Sequence, residues 1–249
     1  MKRMLIAGAF VIAAAGQVMA ADMPVPYPAP QPPASYYPSA APFNWGGFYV
    51  GANGGYGFGS SSWSAPPVTL AGFIIAPAVA TGSFNPRGFL AGGTLGLNLQ
   101  ASAFVFGVEA DGDWTNLNGS SSNAYCSSNT AGATCETKSA LFGTLRARFG
   151  YAFDRVLVYG TGGVAGGDVQ AGFNPPATFD SAANFGWIVG AGVEFAFADN
   201  WTAKIEYLYT DLGNMTCSST ANCGPSAPVT VSLNENIVRA GVNFKFGPW

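Results

Sequence analysis

Along GVEFAFADNWTAKIEYLY, residues 192–209, every second position from Val193 is apolar: Val193, Phe195, Phe197, then Trp201, Ala203, Ile205, Tyr207 and Tyr209. Glu194, Lys204 and Glu206 fall only in the other phase. A period of two marks an extended strand with two unlike faces. The same alternation predicts strands over 47–58, 88–99, 103–114, 140–153, 186–197, 201–212 and 235–246. A glycine-rich eighth segment, 156–166, has no readable phase, and no stretch carries a convincing helical period. Connections alternate in length: short ones centre on Gln100, Asp154-Arg155 and Asp199-Asn200, and long ones cover 59–87, 115–139, 167–185 and 213–234. The pattern therefore predicts an all-β fold, an eight-stranded antiparallel up-and-down meander.

In the seven segments with a clear phase, the apolar side holds no Asp, Glu, Lys or Arg in its central stretch. The other side carries Glu109, Asp111, Arg146, Arg148, Glu194, Lys204, Glu206, Arg239 and Lys245. A water-soluble barrel would show the reverse economy, apolar within and charged without. Lipid inverts it, because a Lys or Arg facing mid-bilayer costs roughly 2–4 kcal/mol whereas a lumen tolerates polarity. Aromatics cluster at the segment ends, as interfacial girdles require: Phe104, Tyr151, Phe153, Phe197, Trp201 and Phe246 near the short turns, and Phe58, Trp114, Trp187 and Tyr209 near the long loops. The reading is a transmembrane barrel with its charges inside. Eight strands leave an interior that side chains fill, so those charges are expected to pair: Glu194 with Lys204, Glu109 and Asp111 with Arg146 and Arg148, Arg239 with Glu206.

Composition agrees. Charged residues make up 9% of the 249 positions, against about 25% in ordinary soluble chains. The start, MKRMLIAGAFVIAAAGQVMA, has the order of a cleaved secretory signal over 1–20. Ten Lys+Arg less Lys2 and Arg3 then leaves eight against thirteen Asp+Glu, a net charge of −5 with no basic patch for nucleic acid. Residues 21–43 are proline-rich and read as an extended periplasmic linker, with the barrel over 44–249. Export suits disulfides. Four cysteines permit three connectivities, and the local pairs Cys126 with Cys135 and Cys217 with Cys223 are expected because loops at separate places need separate staples.

Catalysis has little to work with. The chain has no histidine, the commonest general base, and neither cysteine pair has zinc spacing. GTGGVA at 160–165 loosely matches a dinucleotide fingerprint, but no helix pattern follows it. The expectation is a chain that is no enzyme and holds no metal or cofactor. In the first long loop, Phe73, Ile74 and Ile75 are apolar where a tip should meet water, which marks a candidate contact with another surface molecule.

The stretches NWGGFYVGANGGYGFG, FGVEADGDW, FGTLRARFGYAFDRVLVYGTGG, GWIVGAGVEFAFADNWTAKIEYLYTDLG and NIVRAGVNFKF resemble the small outer-membrane β-barrels of alphaproteobacteria, the porin-like or major surface antigen family. The resemblance spans most of 44–249 outside the long loops. It implies a barrel related to the membrane domain of OmpA-like proteins, in the outer membrane of a Gram-negative bacterium, in contact with outer-membrane lipid and lipopolysaccharide. The last strand resembles the assembly signal read by the outer-membrane insertion machinery, on Arg239, Gly241, Phe244 and Phe246, although Gly247-Pro248-Trp249 follow the final aromatic. A structural and surface role leads; a narrow channel for small solutes and a loop-borne receptor or adhesin, with haem as one ligand, are the alternatives. Oligomeric state stays open.

Overall fold

The computed structural model describes residues 42–76, 78–122, 126, 132–174, 177–217 and 228–247. The expected signal peptide and residues 21–41 of the expected linker lie outside them. The described chain is built of strands: β1 (Gly47–Ala65), β2 (Val68–Leu70), β3 (Phe73–Ala76), β4 (Val79–Phe84), β5 (Arg87–Ala101), β6 (Phe104–Ser121), β7 (Thr134–Phe153), β8 (Val156–Asn174), β9 (Thr178–Ala196), β10 (Trp201–Cys217) and β11 (Val229–Phe246). The order β11-β10-β9-β8-β7-β6-β5-β1 closes on itself through antiparallel β1–β11 pairing, with Phe48 opposite Phe246. Eight long strands thus form the wall of an up-and-down barrel, and β4 adds to the far end of β1.

The alternation places side chains as the sequence requires. Val193, Phe195, Ile205, Tyr207, Leu145, Phe149, Val238 and Val242 point outward and are exposed, while Glu109, Arg146, Glu194, Lys204, Glu206 and Arg239 are buried within. Of the expected girdle residues, Phe104, Tyr151, Phe153, Phe197, Trp201, Phe246, Phe58, Trp114 and Trp187 lie exposed on the outer wall, and Tyr209 is half-buried. The register Lys204 opposite Glu194 is observed. The segment without a readable phase, β8, buries Leu157, Tyr159, Ala165 and Val169 and exposes Val158 and Val164. Its phase was hidden because Gly160, Gly162, Gly163 and Gly166 supply no polarity to either face.

The strands run well beyond the expected boundaries, so much of 59–87, 115–139, 167–185 and 213–234 is wall rather than loop. The apolar phase changes faces there. On β11 the inward side is Val229, Val231 and Leu233, and the outward side Thr230, Ser232, Asn234 and Asn236. Water replaces lipid around this part of the wall, so the hydrophobic residues turn in. Register shifts at Ser139/Phe142 and Asp211/Asn214 interrupt the period, which is why alternation read from the membrane band stopped short.

In this extension the ring opens into two sheets. The β9–β10 pairing ends at Asp211 opposite Trp187, and β4 pairs with β1 alone among the described residues. What remains is β10-β11-β1-β4 facing β6-β7-β8-β9. Between them lies an apolar core that includes Trp63, Leu117, Phe173, Met215, Val231 and Leu233. Trp63 Nε1 donates across it to Thr137 Oγ1 at 3.1 Å, and the Trp63 and Phe173 ring centroids are 6.1 Å apart.

Candidate functional site: the barrel interior

Each strand delivers its inward side chains in layers, and the chemistry of the layers differs. At the short-turn end Trp45, Val105, Ala152, Leu157, Tyr159 and Ala196 form an apolar base. Above it β6 brings Glu109, Asp111 and Asp113, β7 brings Arg146 and Arg148, β9 Glu194, β10 Lys204 and Glu206, and β11 Arg239. The apolar core between the two sheets closes the other end.

Arg146 is the hub of the charged layer: Nη2 bonds Glu109 and, at 2.7 Å, Asp111 Oδ2, and Nη1 reaches Glu206 Oε1 at 3.4 Å. Arg239 joins β11 to four carboxylates, donating from Nε to Glu206 at 2.8 Å and from Nη2 to Asp111 at 3.0 Å, with Nη1 3.4 Å from Asp113 and Nη2 3.6 Å from Glu109. Lys204 Nζ donates to Glu109 Oε2 at 2.8 Å, and Arg148 Nη2 to Glu194 Oε2 at 2.6 Å. Thr94 and Thr144 hydroxyls donate to the two oxygens of Asp111 at 2.8 and 2.7 Å. Asn243 Nδ2 donates to Glu194 at 2.8 Å and Thr202 bonds the same oxygen. Five carboxylates and four cations thus neutralise one another to a net charge of −1, with the paired side chains at most 4% exposed. Buried charges persist only when paired and hydrogen-bonded in this way.

Arg146 pairs with Glu109 and Asp111, and Arg239 with Glu206, as expected, and one pairing is corrected. Glu194 and Lys204 share a register position but not an ion pair; Glu194 goes to Arg148 and Lys204 to Glu109. In a narrow closed barrel inward side chains converge on the axis, so the far wall is as near as the neighbouring strand. Lys245 stands apart from the charge network. Its Nζ bonds the Asn44 carbonyl oxygen and lies 4.8 Å from the Phe43 ring.

Asp113 joins the layer from the same phase as Glu109 and Asp111. Three further contributors were missed. Glu235, 5% exposed, sits inward between Leu233 and Ile237 with no ion pair among the described residues, and its phase follows from Arg239. Tyr49 donates to Glu109 Oε2 at 2.7 Å and accepts from Arg148 Nη1 at 2.8 Å; Tyr159 donates to Glu206 Oε1 at 2.8 Å. The Arg148 guanidinium carbon lies 3.9 Å from the Tyr159 ring centroid and 5.7 Å from that of Tyr49. Tyr49 fits because residue 96 is glycine: a Cβ there would stand 2.1 Å from the tyrosine ring. Tyr159 was out of reach because its strand could not be phased.

Among the residues expected in the assembly signal, Arg239 belongs to the charge network and Gly241 faces inward beside Lys204. Phe244 and Phe246 stand edge to face at 5.2 Å. Cys126 is bonded to Cys135. Cys217 is also disulfide-bonded; Cys223 lies outside the described residues. Phe73 and Ile74 are 76% and 67% exposed at the turn joining β2 and β3; nothing is described of the Ile75 side chain.

The family model "Outer membrane protein beta-barrel domain" matches residues 34–246. The 31 kDa outer-membrane immunogenic protein of Brucella melitensis is 37% identical over 254 residues, covering 93% of this chain and 95% of that protein. The 25 kDa outer-membrane immunogenic protein of Brucella abortus is 30% identical over 217 residues, covering 87% and 86%. The 22 kDa outer membrane protein of Rhizobium leguminosarum is 29% identical over 203 residues, covering 82% and 79%. These relatives bear outer-membrane or immunogenic names, not those of enzymes. With an uncharged band around the middle of the outer wall, aromatics at its two rims and this match across nearly the whole described barrel, the chain belongs to the outer-membrane β-barrel domain family and is a surface protein of the Gram-negative outer membrane.

Proposed function

We propose that the protein is a non-catalytic, non-conducting barrel that reinforces the outer membrane and carries a rigid, disulfide-stapled head above it. One observation carries this reading: Arg146, Arg239, Lys204 and their carboxylate partners are almost wholly excluded from solvent, between an apolar base and an apolar core. An ion crossing such a lumen would have to break several buried charge pairs and pass the core. Outer-membrane lipid and lipopolysaccharide are the surroundings this outer wall suits, and the insertion machinery is the partner its last strand suits. Planar-bilayer recording on refolded protein is expected to show no steady conductance above the lipid baseline. A stable unitary conductance would overturn the closed-lumen reading in favour of a narrow channel.

A surface-contact role is favoured by the β2–β3 turn. Phe73 and Ile74 are exposed there, and no Asp, Glu, Lys or Arg occurs from 59 to 86. Exchange of both for Asp is expected to weaken adhesion of the bearing cells to a receptor surface while leaving the barrel folded. Unchanged adhesion would remove the role.

A further inference from the structure

The short segment before β1 does not belong to the barrel ladder. Residues 42–46 form no strand, yet Trp45 is 1% exposed and belongs to the apolar base. Its backbone N–H donates to Gln100 Oε1 at 2.6 Å and its indole N–H to the Asp154 carbonyl at 2.9 Å. The Phe43 N–H donates to Asp154 Oδ1 at 2.9 Å, and Gly46 N–H to Asn44 Oδ1 at 2.8 Å. Lys245 Nζ donates to the Asn44 carbonyl oxygen. Phe43 stacks edge to face on Trp45 at 4.9 Å, with the Arg155 guanidinium 5.7 Å from its ring centroid and Lys245 Nζ 4.8 Å. The segment is thus held at two short turns and the end of β11, by side chains and one turn carbonyl rather than by strand pairing.

We propose that Phe43–Gly46 is a removable stopper, with Trp45 as its head, that governs access to the charged chamber from the short-turn, periplasmic side. Withdrawing it breaks none of the wall's ladder bonds, so the barrel stays closed as a cylinder while its base opens. It uncovers Lys245 first, then the layer of Arg148, Glu194 and Lys204. The apolar core still shuts the far end, so the opened state is a one-sided cup and not a pore. The proline-rich stretch leads directly into this segment in sequence, so anything that grips that stretch pulls on Trp45.

The inference rests on the closed-lumen reading, and the three lysines beyond residue 20 separate the two. Lys138 stands on the outer wall, its side chain 39% exposed, whereas that of Lys204 is 1% exposed; Lys245 is also buried. Refolded protein is treated briefly with an amine-acetylating ester, and modification of each lysine is followed by peptide mass spectrometry. In the native chain Lys138 should react and Lys204 and Lys245 should not; a reactive Lys204 would overturn the closed lumen itself. In Trp45→Ala, Lys245 and Lys204 should gain several-fold in rate with Lys138 unchanged. Migration that still shifts on boiling in SDS shows the variant barrel to be folded. Gln100→Ala, which removes one anchor and leaves the indole, should raise Lys245 reactivity to a lesser degree and serves if Trp45→Ala does not fold. Lys204 and Lys245 as protected as in the native chain, in folded protein of either variant, would overturn the stopper.

Discussion

Single residues in the charged layer are held by several partners at once, which sets the cost of removing one. Arg146 touches Glu109, Asp111 and Glu206, with its side chain fully buried. Truncating it takes the nearest cation from Glu109 and Asp111 and a second partner from Glu206. Breaking one side of a buried pair costs about 3–5 kcal/mol, so Arg146→Ala is expected to lose at least that much in urea unfolding from micelles. A loss below about 1 kcal/mol, the range of exposed pairs, would mean that water reaches the layer. Glu235 is the contrasting case: it lies in the apolar core without a countercharge among the described residues, where a neutral residue of similar shape would avoid the desolvation cost.

At the scale of a strand, depth decides what a position tolerates. Val242 and Thr230 both point outward from β11, and both are exposed. Val242 pairs with Ala52 in the apolar band, and Thr230 with Ser64 in the polar extension. Arginine at 242 should destabilise the folded barrel by roughly 2–4 kcal/mol, the mid-bilayer value, whereas arginine at 230 should cost near zero. Equal costs in lipid-embedded unfolding would contradict the assignment of the band. The extension meets a second requirement, because once the ring splits its sheets have edges that invite pairing with other chains. At the β9–β10 seam the side chain of Asn184 bonds the Leu212 carbonyl at 3.4 Å. At the other seam Pro86 accepts from the Gly59 N–H at 2.9 Å, and Pro86 packs so closely that a Cβ on Gly119 would stand 2.7 Å from it.

Across the whole molecule, one chain meets three solvents. Lipid surrounds the middle of the wall, water the extension, and the lumen holds its own neutralised charge. The barrel is accordingly inside-out in the membrane and conventional above it, with apolar residues outward in one half and inward in the other. The two halves share continuous strands, so the head is set directly on the membrane band beneath it. That continuity suits a surface antigen better than a gated pore, and conductance recording on the intact protein is the measurement that decides between them.

Alternation alone determined which face of each strand meets lipid, because a misplaced charge in hydrocarbon is costly at every position and the penalty therefore leaves a trace along the sequence. It also determined the meander, the girdles and the inward set from Glu109 to Lys245. Register sets Glu109 against Arg146 and Glu206 against Arg239, and both pair; tertiary structure added the cross-barrel partners, Arg148 with Glu194 and Lys204 with Glu109, since convergence on a narrow axis makes distant strands neighbours. It alone also decided that the long connections continue as wall and that Trp45 fills the base. The apolar pattern switches sides when water replaces lipid, and a tryptophan in an unpaired segment carries no period by which its burial could be read.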